Sequence, residues 1–325
     1  MKYDIVIPLF QLHWNTRCVI EALVHQYQPQ TIYIVAPQAQ AEACDQALSQ
    51  WKIESVQCMA EENFFQHAYD LDKQDLAQII DVTGSLYPTG WYYQQLLKLG
   101  AGCGIADLSE DYLVWDSDLL LVAGWPAVTQ GAAEEEFCVA LLQHNSCGNI
   151  QIIEQWEKWI KQILGIVPAR DPEASFIPHH MWFNQTILSE MLSCLNEYYR
   201  SDEKWPVLMM RSVAEFRTFS EFWMYSSWLK AKAPETVRFL EYARYGNTTE
   251  RFFDDGTGKF SVKLRQSLTW DPDVPFYPEY AEVLNFIEQE YGTELPSSLS
   301  FEASPRHLKK GEANLHLEET RSRWR

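Results

Sequence analysis

The first sixty residues alternate between short apolar runs and amphipathic stretches, and this alternation limits the folds that the chain can adopt. The apolar runs, at 3–9, 31–36 and 53–59, are of strand length, and the stretches between them, at 15–26 and 38–51, have helical spacing. Strands that alternate with helices form a parallel sheet with right-handed crossovers, and such sheets bind ligands at the carboxyl ends of their strands. The sequence therefore predicts an α/β fold with a ligand site at that edge.

Two aspartates stand between apolar runs further along the chain. The run 112–115 predicts a fourth buried strand, which Asp116, Ser117 and Asp118 follow directly, and a second apolar run at 119–123 is expected to continue the sheet. Since residues i and i+2 of an extended segment share a face, the two carboxylates can point the same way. Hard divalent cations prefer such oxygen ligands. The alternative is an acidic corner in water, because short motifs often match by chance.

Composition restricts the partners that the chain can have. The net charge of −19 repels a phosphate backbone, so nucleic acid is excluded as an expected partner. The seven cysteines lack Cys-X-X-Cys spacing, which argues against a zinc site or a disulfide framework and favours a cytoplasmic protein with reduced thiols. We expect no signal peptide and no transmembrane segment, since no apolar run is long enough. The glycine-rich phosphate-binding motifs are also absent, so a bound nucleotide would need another anchor, such as a metal ion.

Other polar side chains are candidates to complete such a site. Lys98 lies one helical turn from Gln94 and is either an exposed lysine or a contact for a phosphate group. His179 and His180 are adjacent in an aromatic segment and are either structural or metal ligands. Glu221 stands among aromatic residues at a predicted helix start. It is either an exposed residue favoured by the helix dipole or a group that binds a sugar hydroxyl or acts as a base.

Several stretches together resemble the GT-A-fold glycosyltransferases that use nucleotide sugars, and most closely a poorly characterised bacterial group of them. These stretches are 5–9, 89–98, 113–118 and the pair 178–181 and 220–225. The resemblance implies a GT-A-like, Rossmann-type α/β fold. Its sheet would be mixed, mostly parallel and flanked by helices, with a helical C-terminal extension.

The resemblance also implies how the chain is divided. One catalytic domain would cover residues 1–295, with a nucleotide-sugar half at about 1–125 and an acceptor half at about 126–295. The remaining residues, 296–325, would form a polar, basic and mobile tail, and the resemblance does not extend to them.

The implied metal is Mn²⁺ or Mg²⁺, bound by the two aspartates. Asp116 and Asp118 would hold the ion, which bridges the donor diphosphate, and a late histidine would complete the ligands. Either His179 or His180 can supply that histidine, and we prefer His180. The residue before the first aspartate, Trp115, departs from the family pattern, where a small or apolar residue is common; it either packs in the core or alters the donor pocket.

The remaining implied roles concern the donor and the catalytic step. Lys98, Gln94 and Pro8 would contact the donor together with the metal ligand Asp116. Glu221 would lie on the acceptor side, as a base or as an anchor for a hydroxyl group, and would act in catalysis together with Asp118.

The activity implied by the resemblance is transfer of a sugar from a nucleoside-diphosphate sugar to an acceptor. The acceptor can be a glycan, a lipid, a peptide or a small molecule, and contact with a membrane surface is compatible with this activity. Two alternatives stay open. The protein can be a GT-A-like binding protein without catalytic activity, or a metal-dependent phosphohydrolase or nucleotidyltransferase that uses the same pair of aspartates.

Overall fold

A computed structural model gives the fold of the protein. It describes residues 3–79, 85–123, 128–130, 135–143, 150–170, 174–241, 250–292 and 295–302.

The strands of this part of the chain are numbered in chain order. They are β1 (Asp4–Pro8), β2 (Ile32–Ala36), β3 (Val56–Ala60), β4 (Asp111–Trp115), β5 (Leu119–Leu121), β6 (Val128–Gln130), β7 (Glu135–Gln143), β8 (Ala174–Ser175), β9 (His180–Asn184), β10 (Val237–Glu241), β11 (Glu250–Phe253) and β12 (Ser298–Glu302).

The α-helices are numbered in the same way. They are α1 (Thr16–Tyr27), α2 (Gln38–Trp51), α3 (Gln66–Tyr69), α4 (Lys73–Ile79), α5 (Thr89–Leu99), α6 (Ala101–Gly104), α7 (Ile150–Trp159), α8 (Gln185–Tyr199), α9 (Trp205–Phe216), α10 (Glu221–Lys232), α11 (Lys259–Ser267) and α12 (Tyr280–Tyr291). A π-helical turn, Ile160–Leu164, continues α7, and a 3₁₀ turn, Pro234–Thr236, follows α10.

The main sheet has five strands in the order β3-β2-β1-β4-β9. The first four strands are parallel, and β9 runs antiparallel beside β4. Both faces of this sheet are covered. Along β1, Val6 belongs to a core cluster with α5, α8, α9 and α10, whereas Ile5 and Ile7 belong to a second cluster with α1, α2 and α12. Burial on both faces explains why β2 is a continuous apolar run without alternation, whereas the edge strand β3 is only partly buried. The predicted α/β class with a mixed, mostly parallel sheet is confirmed.

Two smaller sheets lie outside this path. One contains β10, β7 and β6, with β8 paired to β7, and the other has the order β11-β12-β5. The prediction that residues 119–123 continue the main sheet is therefore wrong, because β5 pairs with β12 instead. Residues 298–302, which we expected in the mobile tail, form that partner strand, and Leu299 and Phe301 are buried. Residues 303–325 of the predicted tail lie outside the described residues. Within the described ranges, no helix combines the length and the apolar character that crossing a membrane requires.

Candidate metal centre

The candidate site lies at the carboxyl ends of β1 and β4, where a parallel sheet binds ligands. The two strands are neighbours in register, with Val6 opposite Val114. Continuing this register by two residues places Asp116 level with Pro8, the last residue of β1. The aspartates therefore follow an inner strand of the sheet and lie at its carboxyl edge, as predicted.

The antiparallel strand β9 brings the histidines to the same edge. It begins at His180, which pairs with Trp115, the last residue of β4. Because the two strands run in opposite directions, the start of β9 lies beside the end of β4. The histidine pair, more than sixty residues later in the chain, is thus adjacent to the aspartates.

Three side chains at this edge can share a metal ion. One ligand atom from each of Asp116, Asp118 and His179 can be chosen so that all three lie within 4.8 Å of one another. The Nδ1 atom of His179 is 3.2 Å from Oδ2 of Asp116. Two carboxylates and one imidazole suit Mn²⁺, which accepts oxygen ligands and tolerates a nitrogen, better than Mg²⁺, which is bound almost entirely by oxygen. The donor set therefore fits the predicted metal.

Backbone hydrogen bonds fix the position of these three residues. The amide of Asp116 donates to the carbonyl of His179 (2.9 Å), and the amide of Leu119 closes the turn on the carbonyl of Asp116 (3.0 Å). The carbonyl of Asp118 accepts from the amide of Phe301 (2.8 Å), so β12 holds the second aspartate from the far end of the chain. His179 itself has φ of 62°, a left-handed conformation that costs a non-glycine residue roughly 1–3 kcal/mol.

The preferred histidine of the sequence analysis, His180, has a different environment. It is buried, its ring stacks on Trp115 with 4.8 Å between centroids, and its Nδ1 atom is 3.0 Å from the carbonyl oxygen of Pro178. The structure thus brings His179, rather than His180, into the cluster with the aspartates. Trp115 is itself fully buried and donates to the carbonyl of Leu119 (2.7 Å), so it packs in the core.

Burial of His180 predicts an acid-sensitive fold. Burial lowers the pKa of His180 to about 4, from 6.5 in an exposed histidine. The folded state therefore favours the neutral ring, and its contribution to stability is present above pH 6.5 and is lost as the pH falls towards 4. His180→Phe retains a ring against Trp115 but has no group that must stay neutral. Between pH 7 and pH 4.5 we expect its free energy of unfolding, measured with urea, to fall by about 2–3 kcal/mol less than that of the wild type. The same substitution at the exposed His25 serves as the control, and equal acid sensitivity of His180→Phe and the wild type would contradict the prediction.

A buried ion-pair chain lies behind the aspartates. Lys98, from α5, places its Nζ atom 2.6 Å from Oδ1 of Asp116 and 2.7 Å from Oε1 of Glu221, the first residue of α10. The same ammonium is 4.4 Å from the ring centroid of Phe222. Only 5% of the Lys98 side chain and 6% of the Glu221 side chain is exposed. For both residues the alternative of an exposed side chain, a helix lysine at 98 and a first-turn glutamate at 221, is therefore wrong.

The pKa values of Lys98 and Asp116 are set mainly by the opposite charges beside them. Burial alone would lower the pKa of Lys98, but the neighbouring charges of Asp116 and Glu221 outweigh it and raise that pKa above its usual value. Burial would likewise raise the pKa of Asp116, but Lys98 and His179 together hold it at about 2. At neutral pH Asp116 is a carboxylate and Lys98 an ammonium, so a metal ion at this site would meet an aspartate that already has a cationic partner.

The Nζ atom of Lys98 is held between two buried carboxylates, and the contact with a phosphate group that the sequence predicts for it stays a prediction. Its predicted neighbour Gln94 is half-buried, whereas the adjacent Gln95 is buried and its Oε1 atom accepts from the amide of Glu221 (3.0 Å). Sequence reasoning missed Gln95, although it lies three residues before Lys98 and so shares its helix face.

A second missed residue is Phe10, just beyond the end of β1. Its side chain is 75% exposed, although the residue before it, Leu9, is buried and its amide donates to the carbonyl of Val35. A large apolar side chain so exposed at the ligand edge of the sheet offers a flat surface to a ligand. The sequence does place an aromatic residue directly after the first strand. The apolar run before it, however, predicts that such a residue belongs to the core and not to the surface.

No known protein family matches this sequence, and no curated protein matches it. Solved structures with a similar arrangement exist at low sequence identity. The apo form of mouse xyloside xylosyltransferase 1 is 11% identical, with a TM-score of 0.40 over 78% of this chain and 88% of the other. An active-site mutant of LgtC is 14% identical, with a TM-score of 0.39 over 96% and 92%. A 4-diphosphocytidyl-2C-methyl-D-erythritol synthase from Anaerococcus prevotii is 9% identical, with a TM-score of 0.34 over 74% and 87%. Similarities of this size assign no function, so the function rests on the site itself.

Proposed function

We propose that the protein is a metal-dependent glycosyltransferase, which moves a sugar from a nucleoside-diphosphate sugar to an acceptor. The observation that carries the proposal is the convergence of Asp116, Asp118 and His179 at the carboxyl edge of a parallel sheet. This edge is where α/β folds bind nucleotides, and the chain lacks the glycine-rich loops that would otherwise bind phosphate groups. The resemblance of the sequence to GT-A-fold enzymes is in accord with this proposal.

The three residues would hold Mn²⁺, with Mg²⁺ as the weaker fit. When bound, the ion would supply Lewis-acid chemistry, by neutralising the diphosphate that leaves as the sugar is transferred. The backbone hydrogen bonds of Asp116 and Asp118 keep their carboxylates together before any ligand arrives. A site organised in advance needs little rearrangement during the reaction.

Glu221 would act on the acceptor. Its Oε1 atom accepts from Lys98, so Oε2 is the atom that would meet the acceptor hydroxyl. Transfer requires that a bond forms between the acceptor oxygen and the anomeric carbon while the bond from that carbon to the diphosphate breaks. The hydroxyl proton must then go to a base, and Glu221 would take it or, alternatively, only orient the hydroxyl group.

The donor would lie along the end of β1. Pro8 is level with Asp116 there, and the exposed ring of Phe10 is a surface on which a nucleobase can stack. We further propose that residues 1–125 bind the donor and 126–295 the acceptor, and that the protein acts in the cytoplasm. The free thiols of Cys18, Cys44 and three further cysteines are in keeping with that compartment.

A thermal-shift screen of nucleoside-diphosphate sugars, with and without Mn²⁺, tests the proposal. A ligand that binds only the native state raises its stability by about 2.7 kcal/mol at a hundredfold excess over Kd. We expect a shift with one nucleotide sugar that requires Mn²⁺, followed by transfer to an acceptor in a release assay for the nucleoside diphosphate. A shift that is independent of Mn²⁺ would contradict the metal site. Binding without transfer to any acceptor would favour a binding protein, and phosphate release from simple esters would favour a phosphohydrolase.

A further inference from the structure

Lys98 occupies an unusual position for a lysine, between two carboxylates and beneath the candidate metal centre. Its ammonium contacts Asp116, a candidate ligand, and Glu221, which is outside the ligand group, and it lies over the ring of Phe222. The side chain is almost completely buried, so water screens these interactions little. Lys98 therefore provides a permanent cation in contact with one of the candidate metal ligands, Asp116.

This cation has opposite effects on a metal ion and on the fold. It stabilises the buried carboxylates, because an unpaired charge in the interior is costly. It also repels a second cation bound by Asp116 and already satisfies one oxygen of that aspartate. Glu221 reduces this repulsion, since it partly neutralises the ammonium from the other side.

We propose that Lys98 is a positioning residue that lowers the affinity of Asp116, Asp118 and His179 for divalent cations. The negative charge of Glu221 partly offsets this effect. The inference rests on the proposed metal site. It makes metal binding dependent on Glu221, although Glu221 does not contact the metal, and so links the acceptor side of the site to the metal side. A weak metal site of this kind would be filled together with the donor diphosphate, whose negative charges offset the ammonium.

The alternative is that Lys98 only maintains the fold. Its removal would then leave Asp116 and Glu221 to repel each other, the ligands would move apart, and metal binding would weaken. The two interpretations predict opposite signs for the change in metal affinity, so one measurement separates them.

The experiment measures Mn²⁺ binding without any nucleotide, by the decrease in the electron paramagnetic resonance signal of free Mn²⁺. Lys98→Met makes the buried group one charge more negative, Glu221→Gln makes it one charge more positive, and the double variant restores the wild-type charge. We expect Lys98→Met to bind Mn²⁺ at least about tenfold more tightly, Glu221→Gln about tenfold more weakly, and the double variant within about threefold of the wild type. Lys98→Arg, which keeps the cation, should stay near the wild type. So should Lys263→Met, which removes an exposed ion pair with Glu290.

Each result decides the matter. If the wild type binds Mn²⁺ and Lys98→Met binds it equally or more weakly, the inference is overturned while the metal site stands. If Lys98→Met does not fold, as judged by circular dichroism, Glu221→Gln decides, and unchanged or tighter binding there overturns the inference. If neither the wild type nor any folded variant binds Mn²⁺, the proposed metal site fails and the inference fails with it. Binding by Lys98→Met alone would support the inference, because the lysine would then be what excludes the metal.

Discussion

Replacement of Asp118 by asparagine is expected to abolish Mn²⁺-dependent binding of a nucleotide sugar and to lower transfer by roughly 10³-fold or more. Asparagine has nearly the same size but no charge, so the site would lose half of its carboxylate ligands. Asp118 is the sharper choice of the two aspartates because Asp116 also pairs with Lys98 and His179, and its loss would disturb that buried chain. Donor binding by calorimetry and turnover by nucleoside-diphosphate release measure the two effects.

The residue between the aspartates provides the control for this prediction. Ser117→Ala changes the same turn without changing its charge, and we expect near-normal metal binding and turnover. Thermal melting of both variants should show a folded protein, since asparagine at position 118 keeps the backbone carbonyl that accepts from the amide of Phe301. Donor affinity and turnover that are unchanged in Asp118→Asn would eliminate the metal-dependent mechanism.

The core of the fold could be predicted from the sequence because its signals are local. The apolar runs at 3–9 and 31–36 became β1 and β2, and the stretches at 15–26 and 38–51 became α1 and α2, with ends displaced by a few residues at most. Strands that are buried on both faces must be apolar throughout, and helices that cover them must be apolar on one side. Neither requirement depends on where distant parts of the chain lie.

The completion of the site could not be predicted, because it depends on pairings between distant residues. The antiparallel pairing of β9 with β4 decides that a histidine reaches Asp116, and the left-handed backbone of His179 decides which one. Local spacing cannot distinguish two adjacent histidines when the strand begins between them. In the same way, β12 is a short polar and apolar segment near the chain end, and only its pairing with β5 makes it part of the core.

The burial of Glu221 could not be predicted either, because it also depends on a contact between distant residues. A glutamate in the first turn of a helix is usually exposed, where the helix dipole favours it. Here the first turn of α10 packs against α5, where Lys98 donates to the carboxylate of Glu221 and Gln95 accepts from its backbone amide. The two halves of this arrangement are more than a hundred residues apart, so neither half indicates the other in the sequence.

Glu221→Gln is expected to lower the turnover number by roughly 10²–10⁴-fold if Glu221 is the base, because glutamine cannot accept the proton of the acceptor hydroxyl. If Glu221 only orients the hydroxyl group, the same change should raise the KM for the acceptor and leave the turnover number within about tenfold of the wild type, since glutamine still forms hydrogen bonds. Steady-state kinetics with acceptor varied at saturating donor and Mn²⁺ separate the two roles, and saturating Mn²⁺ removes any effect of the substitution on metal affinity. Glu203→Gln, which breaks an exposed ion pair with Arg211, is the matched control and should leave both constants unchanged. Wild-type values of both constants in Glu221→Gln would remove Glu221 from the reaction and leave it as the buried partner of Lys98.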